Sequence, residues 1–216
     1  GALGQPVQVV ELAGRYPLPD AAAEAAARGA LAALPPDARI VIDGLGLPAF
    51  LPLIEELAAR RATALIHHPT ALETGFGADV REALKARERA LFPRMARLIA
   101  TSELTARRLP EEFGADPARI GVVEPGTDPA PRARGSGGPG VAILAVGSIT
   151  PRKGHDVLMR ALARLPDLDW TLTIAGGERD PVHADGLRAL QHELGIAQRV
   201  TFAGEAGQAE LDALYD

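Results

Sequence analysis

The sequence predicts an α/β protein with two doubly wound parallel sheets, the second of which is incomplete. Short apolar or β-branched segments recur along the 216 residues, and a stretch of helical character follows most of them. Within these segments apolar and polar residues alternate little, which is typical of parallel strands that are covered on both faces. Strands that alternate with helices favour a doubly wound, Rossmann-like sheet.

Eight segments are predicted as strands, and a Pro- and Gly-rich stretch, Glu124–Gly140, separates the first five from the last three. Such a composition suits neither a helix nor a central strand, so we predict a linker with the domain boundary near Arg134. Residues 1–134 then form one domain, and residues 135–216 form the first part of another. The predicted strands are Val7–Leu12, Arg39–Asp43, Thr63–His67, Leu98–Thr101, Ile120–Glu124, Val141–Val146, Thr171–Ala175 and Val200–Ala203.

Two of the predicted helices begin at residues that can cap them. The side chains of Asp20 and Ser102 can each accept a hydrogen bond from an amide of the first turn, and Pro35 ends the first of these helices. Helices are therefore expected between the strands. They are Ala21–Ala33, Ala78–Met95, Glu103–Phe113, Gly154–Leu165 and Leu187–Leu194, with a further helix starting at Ala209.

Composition excludes several classes of site. The chain has no Cys, which excludes disulfides, thiolate zinc sites and a Cys nucleophile. Its net charge of -5 argues against broad nucleic-acid binding, which needs a basic surface. No apolar run approaches the roughly 20 residues that span a bilayer, and no secretory signal is recognisable at the start. The residue usage, rich in Ala, Arg, Pro and Gly, suggests a GC-rich bacterial genome.

Two adjacent cations between a strand and a helix form the strongest candidate site. Gly147 follows a predicted strand, and Arg152 and Lys153 precede the helix that starts at Gly154. The carboxyl ends of strands line the ligand crevice of a doubly wound sheet. Arginine makes forked contacts to phosphate, lysine adds a mobile point charge, and a helix N-terminus favours an anion. An exposed basic turn is the alternative interpretation, and the Arg–Lys pair by itself does not exclude it.

From Gly147 to Leu162 the chain resembles the family-four, or group 1, glycosyltransferases of the GT-B fold. In that family a Gly-x-x-x-x-x-Lys-Gly loop after the first strand of the second domain binds the donor diphosphate, and Gly147, Arg152, Lys153 and Gly154 fall on this pattern. Weaker resemblances occur in the family's order on both sides of the loop. They cover Ala100–Arg107, Val123–Asp128, Ile174–Gly177 and Leu194–Gly204.

The resemblance implies a retaining transfer of a sugar from a nucleotide-diphosphate donor to an acceptor hydroxyl. It implies that Gly147, Arg152 and Lys153 bind the donor diphosphate, and that the two cations stabilise the charge that develops on it. They would replace a divalent metal, so neither a metal nor another cofactor is expected. Gly177, at the end of the next strand, is expected near the donor nucleotide, with a plain turn as the alternative.

The resemblance also implies a site at the end of the strand Thr63–His67. Family members often carry a histidine there that faces the transferred sugar, and His67 matches it best, with His68 as the alternative. Either ring could instead cap the strand. Glu73 could orient the histidine or bind acceptor hydroxyls, or it could be a solvated loop carboxylate. Asp43 could help to shape the acceptor site, although a carboxylate after a strand often only satisfies turn amides.

In this interpretation residues 1–134 form the acceptor-side domain and residues 135–216 begin the donor-binding domain. Two family features are absent from the sequence: an upstream Gly-rich loop and a downstream Glu-x7-Glu segment. We therefore expect a fragment with little activity of its own, from a cytoplasmic protein that could contact the membrane peripherally. Its acceptor would be a sugar, a lipid or a glycan. Two other functions stay open: a non-catalytic nucleotide- or sugar-binding module, and a GT-B-like sugar-nucleotide epimerase.

Overall fold

The computed structural model describes residues 4, 6–73, 75–135 and 137–215, and it confirms the α/β class with parallel sheets. The chain divides into two compact units, Gly1–Thr127 and Asp128–Asp216, and the division lies within the Pro- and Gly-rich stretch. Each unit has a parallel sheet and a hydrophobic core of its own. The two units are described separately below.

The first unit contains a four-stranded parallel sheet whose strands follow one another in chain order. They are β1 (Val41–Asp43), β2 (Thr63–Ile66), β3 (Arg97–Ala100) and β4 (Ile120–Val122). Asp43 is in register with Leu65, and Ile66 with Ala100. Because all four strands run in the same direction, the residues that follow β1, β2 and β3 meet at one edge of the sheet.

Four helices accompany this sheet: α1 (Ala21–Ala33), α2 (Ile54–Ala59), α3 (Ala78–Leu91) and α4 (Glu103–Phe113). Both predicted N-caps are confirmed, since Asp20 accepts a hydrogen bond from the Ala23 amide and Ser102 accepts one from the Thr105 amide. Helix α3 ends at Leu91 instead of Met95. A 3₁₀ turn that contains Pro93 follows it, because proline lacks the amide that would continue an α-helix.

The predicted strand Val7–Leu12 is wrong, because no residue of this segment joins a sheet. The exposed fractions of Val7 and Val9 are 75% and 81%, so their β-branched side chains do not pack on a neighbouring strand. Strand propensity forms a strand only where a partner supplies ladder hydrogen bonds and a packing surface. The sequence also did not predict the 3₁₀ helix Leu47–Leu53 and α2, a region punctuated by Pro48 and Pro52.

The second unit contains a three-stranded parallel sheet in the order β5 (Val141–Val146), β6 (Trp170–Ala175) and β7 (Val200–Gly204). Its helices are α5 (His155–Leu162), α6 (Pro181–Glu193) and α7 (Gln208–Tyr215). Helix α6 begins at Pro181, earlier than the predicted Leu187, because Asp180 caps it by accepting a hydrogen bond from the His183 amide. Trp170, Ile174, Met159 and Leu187 belong to the core of this unit.

Candidate functional site

At the carboxyl edge of the first sheet, an imidazole and a carboxylate from neighbouring strands form a pair. His67 directly follows β2 and Asp43 ends β1, and His67 Nε2 lies 3.1 Å from Asp43 Oδ2. The other carboxylate oxygen of Asp43 accepts the Leu45 amide at 2.9 Å. The side chains of His67 and Asp43 are 60% and 54% exposed, so a ligand in solvent can reach both.

Two hydroxyl groups at the junction between β3 and α4 hold the backbone of His67. The hydroxyl of Thr101 donates to the His67 carbonyl at 3.2 Å, and the hydroxyl of Thr105 donates to it at 3.4 Å. Thr105 is itself fixed, because its oxygen accepts the Ser102 hydroxyl at 3.1 Å and its amide donates to the same Ser102 oxygen. The capping residue of α4 therefore also helps to place the candidate site histidine.

A buried carboxylate of α3 holds the loop that follows His67 and His68. Glu88, 2% exposed, accepts the Thr70 amide at 2.6 Å, the Thr70 hydroxyl at 2.8 Å and the Ala71 amide at 3.2 Å. Burial raises the pKa of Glu88, and the hydrogen bonds from Thr70 and Ala71 and the charge of His68 oppose that rise. This residue was missed from sequence. The sequence feature that could have revealed it is its position on the apolar face of α3, between the buried Leu84 and Leu91.

The remaining residues predicted for this edge lie close along the chain to the pair. His68 is exposed, and Glu73 follows the 3₁₀ turn Thr70–Leu72 and is half-buried. The structure therefore brings Asp43 and His67 together and puts His68 near Glu88. The roles of His68 and Glu73 toward a substrate stay predictions.

In the second unit, backbone hydrogen bonds tie the ends of the three strands together. The amide of Gly147 donates to Ala175 at 2.9 Å, that of Ile149 donates to Gly177 at 2.9 Å, and that of Gly176 donates to Gly204 at 2.7 Å. A Cβ atom at Gly176 would lie 2.0 Å from the Gly147 carbonyl oxygen. Only glycine allows so close an approach of the two backbones, and this approach defines the edge where the candidate anion site lies.

The two predicted cations lie on that edge, in the turn Pro151–Lys153 between the end of β5 and the start of α5. Arg152 and Lys153 are exposed, and Gly154, with a φ of 66°, turns the chain into the helix. The Lys153 side chain folds back toward Gly147, with its Cε 3.3 Å from the position that a Cβ on Gly147 would take. A cation thus lies beside the glycine at the end of β5. The role of Gly147, Arg152 and Lys153 toward an anion stays a prediction.

Gly177 faces a carboxylate that the sequence did not single out. A Cβ on Gly177 would lie 2.9 Å from Glu205 Oε2, and Glu205 Oε1 lies 3.3 Å from Arg179 Nη2. Glu205 directly follows β7, so this exposed ion pair joins the loops after β6 and β7. The role of Gly177 in nucleotide binding stays a prediction.

Two histidines are partly or fully buried at the amino ends of α5 and α6. His155 is 4% exposed, and neither its Nδ1 nor the Nε2 of His183 has a hydrogen-bond partner within the described part of the chain. Burial lowers the pKa of His155, as do the neighbouring charges of His183 and Lys153, whereas Asp156 opposes the shift. Burial thus favours the neutral form of His155, which lies directly after the candidate anion loop.

Within the described residues, no three His, Asp or Glu side chains converge in a way that could hold a metal ion. Nor is any helix of residues 4, 6–73, 75–135 and 137–215 long and apolar enough to cross a membrane.

Part of the chain matches a known protein family. Residues 130–216 match the family described as glycosyl transferases, group 1. A "D-inositol 3-phosphate glycosyltransferase" of Mycobacterium sp. strain KMS is 40% identical over 131 residues, which cover 55% of this chain and 29% of the relative. The protein of the same name from Mycolicibacterium gilvum is 42% identical over the same length and the same shares. The chain thus spans less than a third of these relatives.

Solved structures show the same fold. HepE of Anabaena, in complex with UDP and glucose, aligns with a TM-score of 0.62 at 17% identity, over 86% of this chain and 52% of HepE. TarM aligns with a TM-score of 0.55 at 15% identity, over 82% of this chain and 34% of TarM. At this level of identity the two neighbours establish the architecture alone.

Proposed function

Residues 130–216 match the group 1 glycosyl transferases, and from this match we propose that the protein transfers a sugar, with retention, from a nucleotide-diphosphate donor to an acceptor hydroxyl. The relatives named as glycosyltransferases support the reaction class. The UDP and glucose bound to HepE support a nucleotide-sugar donor. We propose a sugar, a lipid or a glycan as the acceptor. We also propose a cytoplasmic location, with peripheral contact to the inner face of the membrane.

The observation that carries the proposal is the position of Arg152 and Lys153 between the end of β5 and the start of α5. Cleavage of the anomeric bond leaves growing negative charge on the diphosphate. Fixed cations at that point stabilise the transition state more than the ground state, because the charge is larger there. In this proposal Lys153 and Arg152 bind the leaving diphosphate in place of a divalent metal, and Gly147 lets it approach the backbone.

The second part of the proposal concerns His67 at the edge of the first sheet. Its exposed ring can exchange hydrogen bonds with sugar hydroxyls, and its backbone and ring are held by neighbouring strands. We assign His67 to the transferred sugar, with His68 as the alternative, and Glu73 to acceptor hydroxyls. Gly177 is assigned to the donor nucleotide.

The proposal is tested with the complete protein, a panel of UDP-glucose, UDP-N-acetylglucosamine and GDP-mannose as donors, and a set of sugars, lipids and glycans as acceptors. We expect one donor to release its nucleoside diphosphate, and the anomeric configuration of the product, read by proton NMR, to be that of the donor. Nucleotide binding without turnover would instead indicate a binding module. A donor whose sugar is epimerised would indicate an epimerase.

A further inference from the structure

We propose that Asp43 is a positioning residue for His67. By accepting a hydrogen bond from Nε2–H, it holds the ring in one tautomer and one orientation, so that Nδ1 presents its lone pair to a sugar hydroxyl. The contact that carries this inference is the 3.1 Å separation of His67 Nε2 and Asp43 Oδ2. The part that concerns the sugar rests on the proposed function, whereas the pairing itself does not.

The direction of the hydrogen bond follows from the chemistry of the two groups. An ionised carboxylate can only accept hydrogen bonds, so the ring nitrogen that faces Asp43 must carry the proton. In a neutral imidazole the other nitrogen is then an acceptor. Nδ1 of His67 is therefore the atom that can receive a hydrogen bond from a hydroxyl group.

Asp43 can hold this position because the turn after β1 is itself fixed. Its Oδ1 accepts the Leu45 amide at 2.9 Å, and its carbonyl accepts the Gly46 amide at 3.0 Å. The intervening Gly44 amide donates to the Leu65 carbonyl of β2 at 2.8 Å. The carboxylate is thus anchored both to its own turn and to the strand that carries His67.

His67 is anchored at its other end by the hydroxyls of Thr101 and Thr105, which both donate to its carbonyl. The two bonds to the carbonyl fix the backbone of His67, and the bond from Nε2 to Asp43 orients its ring. Because the Asp43 and His67 side chains are more than half exposed, their pairing adds little to folding stability. The main effect of the Asp43–His67 pairing is therefore to orient the imidazole ring.

The sequence left two roles open for Asp43: to shape the acceptor site, or to satisfy turn amides, as it does with the amide of Leu45. Its pairing with His67 was not predicted. Both carboxylate oxygens already accept a hydrogen bond from the protein, one from Leu45 and one from His67. A residue that acts through His67 should lose its influence once the imidazole is removed. A residue that binds the substrate directly should keep it.

The pairing is tested first by NMR of the 216-residue chain, labelled with ¹⁵N, at a pH where the histidines are neutral. A free imidazole already favours the Nε2–H form, so the diagnostic result is a difference in the minor tautomer. We expect His67 to be more completely Nε2–H than an unpaired histidine, and we expect Asp43→Ala to raise its minor Nδ1–H population. Asp43→Asn should restore the Nε2–H form, because an amide oxygen also accepts. Asp37→Ala, which changes an exposed carboxylate outside the site, is the matched control. An Nδ1–H tautomer in the unmodified chain would overturn the pairing.

The second test is a double-mutant cycle in the complete protein, with release of the nucleoside diphosphate from the donor that the panel identifies as the readout. We expect Asp43→Ala to lower kcat/KM by about tenfold, as the loss of one oriented hydrogen bond does. In the His67→Ala background the same change should have no further effect. Additive losses would show that Asp43 binds the substrate directly and would overturn the positioning role. If the protein releases no nucleotide from any donor, the proposed function is wrong and the sugar part of this inference falls with it. The tautomer measurement then still decides the pairing.

Discussion

The side chain of Lys153 folds back toward the backbone of Gly147, so that a cation from the end of a 3₁₀ turn lies at the end of the preceding strand. The distance from Lys153 Cε to a hypothetical Cβ on Gly147 is 3.3 Å. The two residues are separated along the chain by the loop that carries Arg152. Their proximity links the glycine at the strand end to the charge that we propose for the diphosphate.

The first prediction follows from this relationship. In the complete protein, Lys153→Ala should lower kcat by a factor of about 10²–10³, and Arg152→Ala should act similarly. Each substitution removes a positive charge that stabilises the negative charge developing on the leaving group. The loss should fall more on turnover than on acceptor affinity. Steady-state kinetics with thermal melts on the same samples measure both effects. Arg160→Ala, an exposed arginine further along α5, is the control. Near-normal turnover and unchanged donor affinity in both loop variants would show that the basic turn has no catalytic role.

A second prediction concerns the glycine pair at the strand ends. Gly176→Ala would place a Cβ 2.0 Å from the Gly147 carbonyl oxygen, so the two backbones must separate. We expect the second unit to lose about 1–3 kcal/mol of stability, the usual cost of forcing atoms into a packed site. Fluorescence of Trp170, the single tryptophan of the chain, reports unfolding of this unit in urea.

The matched control for that substitution is Gly186→Ala in α6. A Cβ there meets nothing within 4 Å, and alanine is about 1 kcal/mol more favourable than glycine inside a helix. The two substitutions should therefore change the urea midpoint in opposite directions. An unchanged midpoint for Gly176→Ala would contradict the close approach of the two loops.

A third prediction concerns the buried carboxylate of the first unit. Glu88→Ala removes the acceptor of three hydrogen bonds. The amides of Thr70 and Ala71 then have no carboxylate to which they can donate. We expect a loss of about 3 kcal/mol, since a buried donor left unsatisfied costs about 1–3 kcal/mol. The circular-dichroism transition of the first unit should move while the Trp170 transition stays in place. Glu111→Ala, which alters an exposed glutamate of α4, should leave both unchanged.

A fourth prediction is a pH dependence in the second unit. The pKa of His155 is lower in the folded protein than the ordinary value of 6.5. As the pH falls, His155 therefore takes up its proton in the unfolded chain before it does so in the folded one. The stabilising effect of the neutral ring is complete above pH 6.5 and is lost as the pH falls from 6.5 toward the folded-state pKa. Urea titrations followed by Trp170 should show this loss between pH 7.5 and 5.5.

His155→Gln should flatten this dependence, because glutamine does not titrate. His192→Gln, which changes an exposed histidine of α6, should preserve it. The charged groups that influence His155 are His183, Lys153 and Asp156. If the unmodified chain and His155→Gln respond equally to pH, the buried imidazole is not the group responsible.

A fifth prediction concerns the 216-residue chain by itself. The family resemblance implies two segments that this sequence does not contain, and the matched relatives are covered to only 29% of their length. We therefore expect little or no sugar transfer by this chain with any donor that the complete protein uses. Parallel assays of the two proteins at equal concentration measure this, and equal turnover would refute it.

Local chemistry allowed much of the architecture to be predicted from the sequence by itself. The N-caps Asp20 and Ser102 bond to amides three residues further along the chain, so they can be predicted without knowledge of the fold. The strand-to-helix loop from Gly147 to Gly154 is also contiguous, and its family resemblance was confirmed by the match to residues 130–216. Local propensity failed at Val7–Leu12, because a strand also needs a neighbour.

Only the tertiary structure decided which distant side chains meet. His67 and Asp43 are 24 positions apart along the chain, and they pair because β1 and β2 are adjacent, parallel and in register. Glu88 reaches Thr70 because α3 packs over the loop after β2, and the backbone of Gly176 approaches that of Gly147 because β6 lies beside β5. Such contacts depend on strand order, register and packing. These properties arise from the whole core, and no short segment of the sequence encodes them.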